Sequence, residues 1–260
     1  MTTTLLPLQV DQATVLQAAA VGYAVVLLAL LVGVRRVDAS LRRYCYPLVL
    51  LAALATVDSL WQATGGGSVV VNGNAVRVST AALDVYAYAV LYGGTTLLAG
   101  ASRRLVAAVT GVAVTMRVAF SLGNAAAPGT TLATLAAVGI LGGYPVVVAL
   151  YLRPVWRAAQ RVPARQRLLH WKARNLQLFL FGMLVVYAFL LLSGLIQNIV
   201  VSQVLVQYPN LLFRGGVSLL IVHRLAGFEG RESLRLGGGA GDAGTDSSES
   251  ASAGGAAAGD

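Results

Sequence analysis

The sequence is poor in charged residues and in cysteine. Only 11% of its 260 residues are charged, against about 25% in a soluble domain, while 57% are hydrophobic and the mean hydropathy is +0.73. The single cysteine, Cys45, excludes an intramolecular disulfide framework and any metal site built from several cysteines. A chain of this composition is expected to fold in a lipid bilayer, where helices satisfy their own backbone hydrogen bonds.

The motifs of soluble enzymes are also absent. The sequence has no His-Glu-x-x-His zinc motif, no phosphate-binding glycine loop and no nucleophile elbow. Its two histidines, His170 and His223, stand beside Arg or Lys where hydrophobic runs begin or end, so we expect them to anchor helices at the membrane boundary. The sequence therefore predicts neither an enzyme nor a metal site.

Acidic residues are scarcer than basic ones, and the formal net charge is +9. A nucleic-acid-binding protein would carry such a charge on an accessible face with polar and aromatic partners. Here the basic residues flank hydrophobic runs instead, so no nucleic-acid partner is predicted. The expected partner is the lipid bilayer, together with a second copy of the chain or another membrane protein.

Seven hydrophobic runs are long enough to cross a bilayer, which takes about 20 helical residues per crossing. The seventh is hard to separate from the sixth because only a few polar residues interrupt one long apolar stretch. The runs are 13–34, 45–63, 80–101, 105–123, 130–152, 176–197 and 199–223. We predict an all-α membrane domain at 13–236, an extracellular N-terminus at 1–12 and a disordered acidic cytoplasmic tail at 237–260, rich in Gly, Ala, Ser and Asp.

The basic residues also predict an orientation. Most of them follow the first, third and seventh runs or lie in the segment 153–174, whereas Arg77 stands alone in a loop on the opposite side. Cytoplasmic loops carry the excess of Arg and Lys, so the N-terminus is expected outside the cell membrane and the C-terminus in the cytoplasm.

The loop at 65–79 differs from the other connections. Two short runs rich in β-branched residues, 69–71 and 75–78, surround an Asn72-Gly73 pair. Asn-Gly between such runs favours a tight hairpin turn, so we predict a β-hairpin on the outside between helices two and three. A disordered glycine-rich loop is the alternative.

Charged residues inside the hydrophobic runs mark the candidate site, because charge is expensive in a membrane. Arg214 lies about 15 Å from the nearest boundary, counting 1.5 Å of helix per residue, and needs a carboxylate partner. We predict a polar cluster of Asp58, Asp84, Asn210 and Arg214, which either only locks helices two, three and seven or forms an anion site or gated polar pathway. Arg117 is expected to reach the membrane interface instead.

Aromatic residues also fall inside these runs, on the third and the sixth. Tyr86, Tyr88 and Phe181 are candidates for lining a pocket in the core. Helix packing is the simpler interpretation of aromatic residues at these spacings.

The order of these parts resembles the microbial rhodopsin family, to which bacteriorhodopsin belongs. Helix six opens with Arg174-Asn175 and carries Phe181 where the family has a tryptophan. Helix seven, with Arg214-Gly215-Gly216 followed by Gly227-Phe228-Glu229-Gly230, is similar to the family's Lys-x-Gly helix and its Phe-x-Gly exit. In that register Arg214 takes the place of the retinal-binding lysine.

The resemblance implies a seven-helix rhodopsin-like bundle without the family's photochemistry. In the same register Ala87 and Asn210 replace two carboxylates of the pump, Leu98 replaces a proton donor, Asp84 replaces a conserved arginine, and Tyr88 replaces a tryptophan beside retinal. An arginine stays protonated and cannot form a Schiff base, so covalent retinal is not expected and no cofactor is predicted.

The predicted function is that of a non-photoactive, opsin-like membrane protein, sensory or regulatory. One alternative is an ion or small-solute channel or transporter that uses the polar cluster. The other is a retinal photoreceptor or light-driven pump, which would require a different register of helix seven.

Overall fold

A computed structural model describes residues 11–71, 74–126, 129–192, 199–230, 234 and 236, and these form a helical bundle with one small hairpin. The first elements are α1 (Gln12–Arg35), α2 (Arg42–Ala63), β1 (Ser68–Val71), β2 (Asn74–Arg77), α3 (Val78–Leu98) and α4 (Arg103–Ala125). Helix α5 runs through Thr131–Leu150, a π-helical turn at Tyr151–Val155, and Trp156–Ala159. Helix α6 is Ala164–Leu192, and α7 runs through Ile199–Leu211, a π-helical turn at Leu212–Gly216, and Val217–Leu225.

Six of the helices are long and apolar enough to cross a membrane, so the chain is a multi-pass membrane protein in a lipid bilayer. These spans are Gln12–Arg35, Arg42–Ala63, Arg103–Ala125, Thr131–Ala159, Ala164–Leu190 and Val204–Leu225. Helix α3 is as long but less apolar, because it carries Asp84 and several Tyr and Thr residues. It is also enclosed by the others, with Leu91, Tyr92 and Thr95 fully buried. The predicted fold class is thereby confirmed.

Local sequence signals start several helices. Asp11, Ser102 and Thr130 each precede a helix, and each side chain accepts a hydrogen bond from the backbone N–H three residues later. Between α3 and α4, Gly100 adopts a positive φ of 68°, which lets the chain reverse within a few residues. The short connection therefore holds these two helices side by side.

The hairpin lies at one end of the bundle and most arginines lie at the other; we call these the hairpin end and the arginine-rich end. Helices α1 to α5 pack in sequence against their neighbours, and α7 packs against both α1 and α6, which closes the bundle. The strands pair antiparallel from Ser68 opposite Arg77 to Val71 opposite Asn74. The predicted hairpin is confirmed, although its turn at 72–73 lies outside the described residues.

Two predicted boundaries are wrong, and the first is that helix α5 continues to Ala159 instead of ending at residue 152. Helix α6 begins at Ala164 rather than at residue 176, because Gln166, His170 and Ala173 continue its buried face beyond the apolar run. Residues 193–198, where the boundary to α7 falls, lie outside the described residues, as do residues 1–10 and the predicted tail from 237 onward.

Candidate functional site

Three charged side chains from three helices meet in the bundle core. Asp84 on α3 accepts a hydrogen bond from Nη2 of Arg214 on α7 through Oδ1, and one of 2.5 Å from Nε of Arg117 on α4 through Oδ2. Asp84 and Arg214 are each 4% exposed. We call Asp84, Arg117 and Arg214 the ionic cluster; it joins α3, α4 and α7 and carries one positive charge in excess.

The backbone of α7 is irregular where it presents Arg214. Arg214 is the central residue of the π-helical turn, and its carbonyl accepts a 2.5 Å hydrogen bond from Ser218 Oγ. Its guanidinium lies 6.0 Å from the ring centre of Tyr23 on α1, close enough for a cation–π interaction. The π-turn therefore holds Arg214 between α1 and α3, and such turns recur at functional sites.

Some polar atoms of the ionic cluster and of the neighbouring Tyr23 have no hydrogen-bond partner among the described residues. Nε of Arg214, Nη1 of Arg117 and the hydroxyl of Tyr23 are buried and have no partner among the described residues. A buried donor without an acceptor costs about 1–3 kcal/mol. Two guanidiniums and one carboxylate are thus an arrangement that a small acceptor or a water molecule would complete.

Asp58 does not join the ionic cluster as predicted. Its Oδ2 accepts hydrogen bonds from Gln62 Nε2 at 2.7 Å and from Thr80 Oγ1 at 3.1 Å, while Oδ1 has no partner among the described residues. Gln62 lies one helical turn along α2 and Thr80 lies at the start of α3, so these neutral groups are nearer than the arginines on α4 and α7. Asp58 forms a second, separate polar group near the hairpin.

A cavity of about 590 Å³ opens beside the hairpin and reaches the ionic cluster. Asp84, Arg117 and Asn210 line it, and so do Tyr88 and Phe181 at its inner side. The structure therefore places Asn210, Tyr88 and Phe181, three residues singled out from the sequence, around one space with two members of the ionic cluster.

Tyr86 departs from the prediction that it lines this pocket. Two residues along a helix point in very different directions, so Tyr86 faces away from the cavity that Tyr88 lines. Its hydroxyl donates a 3.1 Å hydrogen bond to the carbonyl of Pro47, which ties α3 to α2.

Aromatic rings fill the bundle centre beyond the cavity. The ring centre of Tyr88 lies 5.2 Å from that of Phe213 and 5.6 Å from that of Phe181, and Tyr92 contacts both phenylalanines. Tyr144 and Tyr151 extend the group toward α5. These six residues, the aromatic core, pack tightly where α3, α5, α6 and α7 meet.

Toward the arginine-rich end, α6 donates hydrogen bonds to the backbone of α3. Gln166 bonds the carbonyl of Leu98 at 2.8 Å and Gln177 bonds that of Leu91 at 2.8 Å, while His170 Nδ1 lies 2.9 Å from the carbonyl of Thr95. We call Gln166, His170 and Gln177 the hydrogen-bond ladder. His170 is fully buried against α3, so its predicted role as an anchor exposed at the membrane boundary is wrong.

From the sequence, the hydrogen-bond ladder was not predicted and Arg117 was placed at the membrane interface, although the sequence contains a signal for each. The ladder residues follow one another at spacings of four and seven, the repeat of a single helix face. Arg117 and Asp84 stand at similar distances from the hairpin ends of α4 and α3, which puts opposite charges at one depth. Arg117 was expected at the interface because each helix was considered alone.

The sequence matches no family model and no curated protein, but solved structures match closely in shape. The cyanorhodopsin of the cyanobacterium Tolypothrix superposes with a TM-score of 0.74 at 18% identity, over 84% of this chain and 98% of that one. A light-driven proton pump of Leptosphaeria maculans gives 0.74 at 14% over the same shares. The thermophilic rhodopsin of Rubrobacter xylanophilus gives 0.71 at 18%, over 83% and 99%.

The chain has the microbial rhodopsin fold. At these identities the likeness concerns the fold, and the chemistry depends on the residues present. Within this rhodopsin fold Lys172 is the only lysine of the sequence, and it is half-buried on α6 near the arginine-rich end. In the middle of α7, the charged residue that is buried in the core is Arg214, between Phe213 and Gly215.

The described part of this rhodopsin fold also lacks the residues of a metal site, since it contains no group of three or more His, Cys, Asp or Glu side chains able to hold an ion. What the site offers is the guanidinium of Arg117 beside the carboxylate of Asp84 at an open cavity, with Arg214 buried on the other side of Asp84. Such a site can bind hydrogen-bond acceptors, and it can couple α3, α4 and α7 through Asp84.

Proposed function

We propose that the chain is a rhodopsin-fold membrane protein that carries no covalent retinal and works as a sensor or a regulatory partner. The main support for the proposal is Arg214, which lies in the middle of α7, is buried in the bundle core and is bonded to Asp84. Retinal attachment requires a neutral primary amine, and a guanidinium remains protonated even in a protein interior.

A second feature supports the absence of a covalent chromophore. The only lysine, Lys172, lies on α6 outside the core, so no side-chain amine lies near the middle of α7. We propose no enzymatic activity and no cofactor for this arrangement.

A sensory role follows from the connection between the cavity and the ionic cluster. A ligand in the cavity that binds Arg117 competes with Asp84 for the same guanidinium, and so weakens the link between α3 and α4. A ligand shifts a conformational equilibrium by its differential affinity for the two states, and the cluster supplies a contact that differs between them. In our proposal the cavity opens toward the extracellular side of the cell membrane, and the arginine-rich end is cytoplasmic.

The proposal is tested by adding all-trans retinal to membranes that contain the protein. A difference absorption spectrum is recorded before and after hydroxylamine, which cleaves retinal Schiff bases. We expect no hydroxylamine-sensitive visible band from the wild type. In Arg214→Lys an amine is placed in the same core position, and we expect such a band to appear.

A hydroxylamine-sensitive band in the wild type would contradict the proposal. Lys172→Arg is the matched control, because it removes the only lysine side chain and keeps the charge. A visible band that resists hydroxylamine and persists in Lys172→Arg would indicate non-covalent pigment, whereas a hydroxylamine-sensitive band that is lost in Lys172→Arg would indicate an attachment site on α6.

The cavity itself favours a second candidate, an ion or small-solute pathway. It brings solvent-accessible space to Asp84 and Arg117, and rings of charge select ions in known pores. Flux into liposomes should then change in Asp84→Asn, which keeps the side-chain size and removes the negative charge. Flux that is absent, or equal in the two proteins, excludes this candidate.

A further inference from the structure

A second cavity lies in the arginine-rich half of the bundle, between α2, α3 and α7. Its volume is about 790 Å³. Most of its wall is apolar, and its polar groups are gathered where α2 and α4 begin. We call it the lateral groove; it is distinct from the cavity beside the hairpin and shares no lining residue with it.

The rim of the lateral groove is positively charged. Arg43 at the start of α2 and Arg103 at the start of α4 both line it and are both exposed, as is Ser102 between α3 and α4. No carboxylate lines the groove, and within the described residues neither arginine has an ion-pair partner. Arg43 is oriented by Tyr44, whose ring centre lies 4.9 Å from its guanidinium carbon.

The interior of the groove is apolar and has space for a hydrocarbon chain. Leu48, Leu98 and Ile221 form a buried wall. Gly94 keeps the groove open, since a Cβ atom built there meets nothing within 4 Å. Tyr86, bonded to Pro47, joins α2 to α3 one turn before Ala89 and Val90, which line the groove.

We propose that the lateral groove binds one anionic membrane phospholipid, with its phosphate between Arg43 and Arg103 and a hydrocarbon chain along Gly94. A free anion would leave the apolar interior unexplained, and a neutral lipid would leave two unpaired arginines unexplained. Basic pockets between helices at the cytoplasmic boundary bind anionic headgroups in this way.

Such a lipid contacts α2, α3 and α7 together, and also Leu234 and Leu236 beyond α7. It therefore stabilises the arginine-rich half of the bundle. This inference is independent of the proposed function, because neither retinal binding nor flux enters the argument.

The test is native mass spectrometry of the full chain in a neutral detergent, titrated with phosphatidylglycerol and, separately, phosphatidylcholine of the same chains. We expect a one-to-one adduct with phosphatidylglycerol. In Arg43→Gln/Arg103→Gln its affinity should fall about thirtyfold, at roughly a factor of five per arginine. Arg36→Gln/Arg104→Gln removes the same charge from exposed arginines outside the lining and should change affinity by less than about threefold.

The hydrocarbon part is tested with Gly94→Leu, which fills the groove where the structure has open space. Its matched control is Gly111→Leu on α4, where a Cβ atom also meets nothing within 4 Å but no groove is lined. We expect loss of the adduct only in Gly94→Leu. Equal binding of both lipids, equal loss in the two arginine pairs, or full competition by glycerol phosphate would each overturn the proposal.

Discussion

The two halves of the bundle bury polar groups in different ways. In the hairpin half the main polar contact is the ionic cluster, whose charged side chains lie on three helices and border an open cavity. In the arginine-rich half, neutral side chains of α6 donate to backbone carbonyls of α3, and the buried Arg174 lies over the ring of Trp156. The first arrangement depends on charge balance, whereas the second depends on hydrogen-bond geometry.

The two arrangements are expected to respond differently to the loss of one side chain. Removing one member of a buried ion pair leaves an uncompensated charge, so the ionic cluster is expected to be sensitive to any substitution or ligand. Removing the side-chain amide of Gln177 leaves the carbonyl of Leu91, which lies inside α3 and can still accept from that helix's own backbone, so the loss costs less. The hairpin half is therefore the part of the molecule suited to respond, and the arginine-rich half is suited to stay fixed.

The largest expected effect comes from Asp84→Ala. It leaves Arg117 and Arg214 buried without their carboxylate, and we expect a loss of about 3–5 kcal/mol in the free energy of unfolding. Thermal unfolding in detergent, followed by circular dichroism, measures it.

A triple variant separates charge from packing. When Arg117→Leu and Arg214→Met accompany Asp84→Ala, no uncompensated charge remains in the cluster, and we expect most of the lost stability to return. If the triple variant is no more stable than Asp84→Ala alone, packing rather than charge balance holds this half together, and the comparison fails.

An intermediate effect is expected from Gln177→Leu in the hydrogen-bond ladder. The substitution keeps the side-chain size and removes two bonds, the one that Gln177 donates to the carbonyl of Leu91 and the longer one that it accepts from the Tyr151 hydroxyl. Unfolding should become easier by about 1–2 kcal/mol. Hydrogen exchange should rise in the first half of α6. Gln160→Leu, at an exposed position, is the control and should lie within about 0.5 kcal/mol of the wild type. A loss as large as that of Asp84→Ala would remove the distinction between the halves.

The smallest effect concerns an exposed carboxylate in the hairpin half. Hydrogen bonds from the Thr14 hydroxyl and backbone N–H lower the pKa of Asp11 below its ordinary value of 3.8. Their contribution to stability is therefore present above pH 3.8 and is lost as the pH falls through the lowered pKa.

Asp11→Ala should thus lower the unfolding temperature at pH 7 and have less effect at pH 2. Asp11→Asn keeps a side-chain oxygen that can cap α1 and should show little of this pH dependence. A pH-dependent loss in Asp11→Asn equal to that in Asp11→Ala would mean that charge at the helix start, and not capping, is what stabilises α1.

The helices and the hairpin were predictable because each is encoded locally. Apolar runs of bilayer length fixed the transmembrane helices, and β-branched runs around Asn72-Gly73 predicted the strands. The start of α6 was misplaced because a helix that leaves the bilayer loses its apolar outer face while its inner face continues with polar residues such as Gln166 and His170.

The site was less predictable because it depends on distances between helices. Arg214 was identified as a buried cation that needs a carboxylate, and the structure pairs it with Asp84. Nothing local to the sequence distinguishes Asp58 from Asp84, since both are buried carboxylates near the hairpin. The two carboxylates differ in their neighbours. Gln62 and Thr80 donate hydrogen bonds to Asp58, whereas Arg117 on α4 donates one to Asp84.

The π-helical turn at Leu212–Gly216 changes how α7 should be aligned and engineered. A π-turn accommodates one residue more than an α-helical turn, so the helix beyond it is rotated by about 100° relative to a regular helix. Deleting one glycine of the pair at 215–216 is expected to restore regular geometry and to rotate one part of α7 against the other. An alignment of α7 with a regular helix therefore needs a one-residue gap at this turn, and the direction in which Arg214 faces depends on that extra residue.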